Sequence, residues 1–247
     1  QNLPATATDF EEFAGAGMEE VRASDLLVPR LGIIQSLSPQ IKKKDAAYIE
    51  GAEVNDICDL GTGELFPDGV LFLPVYYRKD YLEWAPRSTG KGLVNIHNDP
   101  SILDRCTRNE KNQPITAEGN LISETAQFFG LNLSADRRRS FIPMASTQLK
   151  KARKWLTLST GEKLKRADGS EFVAPLFYRC YNLTSAEESN AQGEWGGWVV
   201  NRGPSLPELD IGVPWTTVKE EAVAFLESLT SGQSKGDIKS MAEEQSG

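Results

Sequence analysis

The chain has 247 residues, 39% of them hydrophobic and 25% charged, with a net charge of −8, a composition typical of an ordinary globular protein. The sequence contains no apolar run of about eighteen residues, and its start, QNLPATATDFEEF, lacks the basic and apolar regions of a secretory signal, so we expect neither a membrane span nor export. Cys58, Cys106 and Cys180 are odd in number and far apart, which argues against a disulfide framework or zinc site and favours reduced thiols in the cytoplasm.

The charge is distributed unevenly along the chain. Residues 137–166 contain ten Lys or Arg and a single acid, Glu162, so this block carries +9 and the rest of the chain −17. A polyanion responds to the local field over about 8–10 Å, so this block can attract nucleic acid despite the negative total. A solvated helix face explains the same run of charges, and the sequence leaves both interpretations open.

The first half of the chain predicts an arm followed by strands. Residues 1–28 are acidic and rich in Ala, Thr and Gly, which indicates a flexible arm with a short helix around Glu19–Leu27. Strands are expected within residues 29–35, near Ile57–Asp59 and over Val70–Tyr77, the last continuing through Trp84. Pro74 inside this last run predicts a bulge or a strand edge.

The middle of the chain changes from a polar excursion to a helix. Ser88–Gly92 is expected to be a flexible loop, and residues 95–120 are polar and predict little core. A strand pair around Leu121–Leu133 and a short strand over Ser140–Met144 are expected next. An amphipathic helix is predicted next. Its apolar face contains Leu149, Ala152, Trp155 and Leu156, and its basic back contains Lys150, Lys151, Arg153 and Lys154.

The last part of the chain predicts a hairpin and a second helix. The sequence predicts two paired strands, Ala174–Thr184 and Glu194–Val200, with a turn over Ser185–Gly193. A capping box from Thr217 to Glu220 predicts the start of a C-terminal helix. Residues 231–247 are expected to be a disordered polar tail.

These elements together predict a mainly β, α+β fold. Seven to nine short strands without β-α-β alternation argue against a parallel sheet and favour an OB-like, partly closed antiparallel barrel with an inserted basic helix and a C-terminal helix. The expected organisation is an acidic arm (1–28), an OB-like nucleic-acid-binding domain (29–205), an extended segment with the C-terminal helix (206–230) and the tail (231–247).

Catalytic patterns are missing from the sequence. His97 stands in the polar stretch IHNDP, far from any evident nucleophile or metal set, and is expected to be a surface residue. STGKG (88–92) does not match a phosphate loop, because Ala85 and Gly92 stand where the motif needs Gly and Ser or Thr. We therefore predict a protein that is not an enzyme and has no catalytic residue, metal or cofactor. The acidic pairs Asp56/Asp59 and Asp99/Asp104 leave a magnesium-dependent nuclease as an alternative.

Two segments, VYYRKDYLEWAPR (75–87) and FYRCYNL (177–183), interleave aromatic and cationic residues at strand period. Single-strand binding needs cations along the phosphates and aromatic faces on which bases stack. We expect Trp84 and either Tyr76 or Tyr77 to be exposed. The predicted nucleic-acid-binding residues are Tyr76, Tyr77, Arg78, Lys79, Tyr81, Trp84, Arg87, Lys91, Arg137, Arg138, Arg139, Lys150, Lys151, Arg153, Lys154, Tyr178 and Arg179.

Residues 29–202 resemble tailed-phage proteins of replication and recombination clusters. The resemblance rests on RLGIIQSLSP, YIEGAEVNDI, FLPVYYRKDYLEWAPRSTGKGL, STQLKKARKWLTL and PLFYRCYNLTSAEESNAQGEWGGWVV. The basic helix and closing hairpin look like those of phage single-stranded DNA-binding proteins with an OB barrel. The resemblance implies a protein of the host cell cytoplasm whose acidic tail (Asp237, Glu243, Glu244) recruits phage replication proteins.

The sequence therefore predicts sequence-independent binding of single-stranded DNA in phage replication or recombination. A structural or protein-interaction module of the phage particle is the first alternative, with the aromatics buried and the basic helix against another subunit. A magnesium-dependent nuclease or recombination accessory protein is the second.

Overall fold

The computed structural model describes residues 16, 27–191, 193–233 and 235–236. The predicted arm, apart from residues 16, 27 and 28, and residues 237–247 of the predicted tail lie outside this part of the chain.

The described chain consists mainly of strands. The strands are β1 (Leu27–Val28), β2 (Leu31–Ile33), β3 (Ile57–Asp59), β4 (Leu65–Phe66), β5 (Val70–Trp84), β6 (Leu93–His97), β7 (Thr107–Arg108), β8 (Pro114–Ile115), β9 (Leu121–Asn132), β10 (Arg138–Ala145), β11 (Lys163–Lys165), β12 (Glu171–Val173), β13 (Arg179–Asn190), β14 (Gly193–Ser205) and β15 (Lys235–Gly236). The α-helices are α1 (Leu149–Thr160) and α2 (Trp215–Thr230). Short 3₁₀ helices occupy Pro39–Ile41, Arg87–Thr89, Pro100–Arg105, Leu133–Ala135, Ser146–Gln148, Leu176–Tyr178 and Leu206–Glu208.

Eight of these strands form one antiparallel sheet. Its order is β14-β13-β5-β9-β8-β7, with β6 paired to β5 and β10 paired to β9. The central pair runs from Phe72 opposite Asn132 to Trp84 opposite Leu121. The sheet curls strongly into a half-barrel, so the prediction of a mainly β, OB-like fold with a C-terminal helix is confirmed.

The predicted irregularity at Pro74 is confirmed as a break in the β5–β9 register between Pro74 and Tyr76. Proline has no N–H to donate to the ladder, so the pairing shifts by one residue at this point. Gly130 stands opposite Pro74, and a Cβ there would overlap the Leu73 carbonyl and the Phe72 ring. Glycine at this position therefore lets the two central strands approach closely.

Both faces of the curled sheet are covered by apolar side chains. Helix α1 packs on one face, which we call the α1 face, and helix α2 packs on the other, which we call the α2 face. The buried α1-face core contains Leu31, Ile33, Ile57, Phe66, Val70, Phe72, Ala126, Phe128, Ala135, Ile142, Met144, Ala152, Trp155, Tyr181, Leu183, Trp198 and Val200. The buried α2-face core contains Val28, Leu73, Val75, Leu82, Trp84, Phe129, Leu131, Leu133, Phe141, Cys180, Leu206, Leu209, Val218, Ala222 and Phe225.

Two glutamine side chains cap the outer edge of β14. The Gln35 amide accepts from the Gly196 N–H at 2.8 Å and donates to the Gly196 carbonyl at 3.2 Å. The Gln148 amide oxygen accepts from the Trp198 N–H at 3.0 Å. On the other side of the gap, the Phe141 N–H of β10 donates to the Pro29 carbonyl at 3.0 Å. The segment around β2 thus lies between β10 and β14 and partly closes the barrel.

The region of the hairpin differs from the sequence prediction. Leu121–Leu133 forms the single strand β9 with its neighbouring 3₁₀ turn, where the sequence predicts a strand pair. The predicted turn over Ser185–Gly193 is wrong, because β13 begins at Arg179 and stays paired with β14 as far as Asn190 opposite Gly193. Residues 185–190 are polar apart from Ala186, so they lack the apolar alternation by which a half-buried strand is recognised.

The start of the C-terminal helix and the first residues of the tail differ from the prediction. Helix α2 starts at Trp215, directly after Pro214, and has no side-chain cap, so the prediction of a capping box from Thr217 to Glu220 is wrong. The capping box of Ser205 and Glu208 opens the 3₁₀ helix Leu206–Glu208. Proline is favoured at a helix start because the first N–H groups have no partner within the helix. Residues 235–236 of the predicted disordered tail form β15, which pairs in parallel with β1.

Residues 93–120 contain no buried residue, as predicted for an excursion with little core. His97 is more enclosed than the surface residue that the sequence predicts. It lies in β6, its side chain is 22% exposed, and its Nε2 is 2.8 Å from the Glu83 carboxylate. Glu83 also accepts from the Asn120 amide at 2.7 Å, which ties the excursion to the end of β5.

Candidate nucleic-acid interface

The aromatic and cationic side chains of β5 alternate between the two faces of the sheet. Tyr76 and Arg78 point to the α2 face, where the Arg78 guanidinium lies 5.3 Å from the centre of the Phe129 ring. Tyr77 points to the α1 face and packs against Phe128, with 5.2 Å between the ring centres. The sequence predicted this alternation, but both tyrosines are half-buried because each face has a covering helix.

Tyr81 and Trp84 are not available for base stacking. They are 6% and 4% exposed, because β6 and β9 flank this end of β5 and Trp84 belongs to the α2-face core. The expectation that Trp84 is exposed is therefore wrong. Its neighbours include Leu93 and Leu121, which pair with it from both sides. The sequence of β5 does not show which strands flank Trp84, and the burial of this side chain depends on those strands.

The three consecutive arginines 137–139 are held by partners within the fold, which belong to α2 for Arg137 and Arg139 and to β3 and the turn after it for Arg138. Arg137 pairs with Glu221 of α2 at 3.0 Å, and the hydrogen bond to that carboxylate raises the pKa of Arg137. Arg138 lies 2.7 Å from Glu64 and 3.1 Å from the fully buried Asp59. Arg139 is exposed, but its guanidinium lies over the ring of Phe225 at 5.1 Å.

Arg179 has a similar structural role at the start of β13. Its guanidinium is 2.6 Å from Glu162 and donates to the Gly203 carbonyl at 2.9 Å. The hydrogen bond from Arg179 holds the pKa of Glu162 below its usual value. Tyr178 lies half-buried in the preceding 3₁₀ turn. The single acid of the basic block therefore neutralises one of the predicted binding residues.

Arg87 and Lys91 are exposed in the connection between β5 and β6. The connection is closed by a hydrogen bond of 2.9 Å from the Ala85 N–H to the Gly92 carbonyl. Arg87 opens a 3₁₀ turn that extends to Thr89, into the predicted flexible loop of residues 88–92. Neither side chain makes an ion pair within the described residues, so both remain free to contact an anion.

Helix α1 has the basic back that the sequence predicts. Trp155 anchors the helix by stacking on Phe128 at 4.0 Å between ring centres and by edge contacts with Phe72 and Tyr181. Ser159, one turn further, lies 2.9 Å from the Tyr181 hydroxyl. These contacts fix the rotation of the helix about its axis, so the residues opposite Trp155 must face outward.

Three of the four cations of α1 face solvent. Lys150 and Lys154 are exposed and have no carboxylate at ion-pairing distance in the part of the chain that the structure describes. Arg153 is 70% exposed and lies 3.9 Å from Glu124. Lys151 differs, because its ammonium pairs with Glu188 on the β13–β14 ribbon and its side chain is only 18% exposed.

The sheet supplies two further groups beside these cations. Lys79 lies 2.8 Å from Glu124, the same carboxylate that Arg153 approaches, and this hydrogen bond raises the pKa of Lys79. Burial raises the pKa of the Tyr77 phenol, and both Lys79 and Arg153 act on it electrostatically. Tyr77 therefore stands between the sheet and the helix. The α1 basic surface consists of Tyr77, Lys79, Lys150, Arg153 and Lys154.

Sequence reasoning did not identify the residues that fix this surface in place. Glu188 accepts hydrogen bonds from Trp195 at 3.0 Å and Gln148 at 3.4 Å, in addition to pairing with Lys151. A Cβ at Gly197 would overlap both Glu188 and Lys151. The Gly-Gly of EWGGWVV was the available signal, since consecutive glycines in a strand indicate close approach of other groups.

The described residues contain no group of three or more His, Cys, Asp or Glu side chains placed to hold a metal ion. None of the helices in this part of the chain is long and apolar enough to span a membrane.

Comparisons with known proteins give one match. No curated protein and no solved structure matches the chain. The model of a bacteriophage family, described as Pam3 phage gp34-like protein, matches residues 1–235, which is most of the sequence. The chain therefore belongs to the family of Pam3 phage gp34-like proteins.

Proposed function

We propose that this phage protein binds single-stranded DNA without sequence preference, through the α1 basic surface. The observation that supports the proposal is that Lys150, Arg153 and Lys154 stand exposed on a helix whose orientation is fixed by Trp155. Cations held in place on a rigid element can contact successive phosphates, and the energy gained is mainly that of counterion release.

Tyr77 gives the α1 basic surface an aromatic ring on which a base can stack. The ring is half-buried against Phe128 and lies beside Lys79 and Arg153, so a base stacked on its free side would have cations next to its phosphate. Base–aromatic stacking contributes about 1–3 kcal/mol per base and tolerates any base. This combination favours a single strand over a duplex, whose bases are already stacked on one another.

Arg137, Arg138 and Arg179 are left out of the proposed site. Their carboxylate partners are at 3.2 Å or less, and breaking these pairs would leave acids such as Asp59 buried without a counter-charge. Tyr81 and Trp84 are left out because they are buried. Arg87 and Lys91 lie at the far end of β5 and would act only on a longer strand.

A titration of a fluorescent oligothymidylate at several salt concentrations tests the proposal. If three phosphates are neutralised, the logarithm of the affinity should fall with the logarithm of the salt concentration with a slope of about −2, at roughly 0.7 per phosphate. Lys154→Glu should weaken binding several-fold and make the slope shallower by about 0.7.

Lys219→Glu is the matched control, because Lys219 is an exposed helix lysine on α2 and the substitution changes the net charge equally. It should bind like the parent protein. Equal losses in the two variants would mean that only total charge matters, and a parent protein that does not bind the oligonucleotide would refute the proposal.

The second candidate is a structural or interaction module of the phage particle. The burial of Tyr81 and Trp84 and the ion pairs of Arg137 and Arg138 favour it, since they reduce the number of free cations and aromatics. In this case α1 would contact an acidic face of another protein. The same titration separates the two candidates, because only the first requires the parent protein to bind the oligonucleotide.

A further inference from the structure

Strand β6 is an edge of the main sheet with apolar side chains left in solvent. It pairs with β5 on one side, and no other strand of the described chain pairs with its second side. Val94 and Ile96 are 50% and 39% exposed, which is unusual for residues of this size. An exposed edge strand with apolar side chains is a template for pairing with another chain.

The backbone of β6 indicates which groups point outward. The Ile96 N–H donates to the side-chain oxygen of its neighbour Asn95 at 2.9 Å, so it is not used in the ladder with β5. Val94 is the extra residue of a β-bulge, since Glu83 lies opposite Asn95 and Trp84 opposite Leu93, so it too stands outside the regular ladder with β5. The Asn95 oxygen occupies the place where the carbonyl of a partner strand would accept this hydrogen bond.

We propose that β6 is the contact surface for a second copy of this chain, paired antiparallel about a two-fold axis that passes Asn95. In this register Val94 of one copy lies opposite Ile96 of the other, and the same contact occurs twice. Asn95 faces its own equivalent. The two half-barrels would then share one continuous sheet.

The residues that would lie opposite each other in this dimer are compatible in charge and polarity. Just beyond the strand, the register brings Lys91 of one copy towards Asp99 of the other, so opposite charges meet on both sides of the axis. Gly92 stands opposite Asn98 and Leu93 opposite His97, so no like charges face each other. Apolar and opposite-charge cross-strand pairs each contribute about 0.2–1 kcal/mol.

The short strand also sets the strength of the association. An edge of five residues buries less than the about 1,200 Å² of a stable interface, so the dimer should be weak and depend on concentration. The inference does not depend on DNA binding, because β6 contains none of the residues of the α1 basic surface.

Cysteine cross-linking tests the register. The pair of Asn95 residues is of the non-hydrogen-bonded type, with Cα atoms about 4.5 Å apart, which is within the range of a disulfide. In a Cys106→Ser background, Asn95→Cys should form a covalent dimer under mild oxidation. Ile96→Cys is the matched control, because its opposite residue is Val94, and it should remain largely monomeric. Equal cross-linking of the two variants, or none in either, would overturn the proposed register.

Sedimentation analysis without DNA tests the association itself. The average mass of the parent protein should rise with concentration towards that of a dimer. Val94→Lys should abolish this rise by placing charges on both sides of the axis. Val173→Lys serves as the control, since Val173 is 56% exposed on a different strand and should leave the association unchanged. A parent protein that stays monomeric at the highest concentration, or a Val94→Lys variant that still dimerises, would refute the proposal.

Discussion

The two faces of the central sheet use similar residues in different ways. On the α2 face, Arg78 pairs with the buried Asp80 at 2.9 Å and Arg137 pairs with Glu221 of the helix. On the α1 face, Lys150 and Lys154 stand free and Arg153 is mostly exposed. The comparison teaches that the availability of a cation depends on the carboxylates that the fold places beside it. The number of cations in a stretch of sequence does not determine it.

The two tyrosines of β5 repeat the comparison for aromatic residues. Tyr76 lies against Phe129, a ring that Arg78 also covers, and Tyr77 lies against Phe128 beside the free cations of α1. Adjacent residues with the same side chain therefore have different surroundings. Substitutions at two such comparable residues can separate the contribution of a side chain to stability from its contribution to DNA binding.

The largest difference is expected between Arg138, which is held by the carboxylates of Asp59 and Glu64, and Arg153, which is mostly exposed. Arg138→Ala removes the partner of the fully buried Asp59, although backbone N–H groups of Gly61 and Thr62 still bond its other oxygen. Because Arg138 is itself partly exposed, we expect the free energy of unfolding to fall by about 2 kcal/mol, less than for a fully buried pair. Urea unfolding measures this loss.

Arg153→Ala is the matched control, because its side chain is 70% exposed and its nearest carboxylate is 3.9 Å away. Its stability should change by no more than about 0.5 kcal/mol. DNA affinity should show the reverse order, with a loss for Arg153→Ala and none for Arg138→Ala under conditions where both are folded. Two variants with the same loss of stability would show that the paired arginine and the exposed arginine do not differ in this way.

Local patterns explain why the fold was largely predictable. The spacing of Leu149, Ala152 and Trp155 defines α1 and its basic back, and Pro74 marks the irregularity in β5. Each of these signals lies within a few residues of the feature it predicts. The overall OB-like curl of the sheet follows from many short antiparallel strands without crossover helices.

The candidate site was less predictable because its electrostatics depend on distant residues. Glu221 is 84 positions from Arg137, and Asp59 is 79 positions from Arg138. A charge sum over residues 137–166 includes neither acid, so it overestimates the free positive charge. The burial of Trp84 depends in the same way on β6 and β9, whose pairing with β5 cannot be read from the segment itself.

The next largest effect is expected from the two tyrosines. Tyr77→Ala should weaken binding of oligothymidylate by about 1–2 kcal/mol, because a half-buried ring offers one free side for stacking. Tyr76→Ala is the control on the opposite face and should leave the affinity unchanged. Both variants remove a half-buried aromatic ring, so their losses of stability should be similar.

Affinity must therefore be compared at a temperature where both tyrosine variants are folded, as judged by circular dichroism. If Tyr76→Ala loses as much affinity as Tyr77→Ala, the distinction between the two faces is wrong for aromatic residues. If neither loses affinity, base stacking does not occur on this strand.

The smallest effect concerns Lys151, the cation of α1 that is most closely paired and least exposed. Lys151 is held by Glu188, whose pKa lies below its ordinary value of 4.5, mainly because of the hydrogen bond from Lys151. Glu188→Gln keeps an oxygen for the Trp195 N–H, which lies 3.0 Å from the carboxylate, but removes the negative charge. Lys151 would then be free to contact a phosphate, so binding should become tighter and the salt slope steeper by about 0.7.

The pH dependence of stability provides a check on the same contact. A carboxyl whose pKa is lowered by folding stabilises the native state above its unfolded pKa, and this contribution is lost as the pH falls through the folded pKa. The parent protein should therefore be more stable than Glu188→Gln near neutral pH, by no more than about 1 kcal/mol because the pair is partly exposed. The two should converge as the pH falls below 4.5 and through the lowered pKa of Glu188, where its carboxylate becomes protonated in the folded protein. A constant difference in stability from pH 3 to pH 7, with no change in the salt slope of binding, would mean that Glu188 does not restrain Lys151 and that the ribbon has no part in controlling the α1 basic surface.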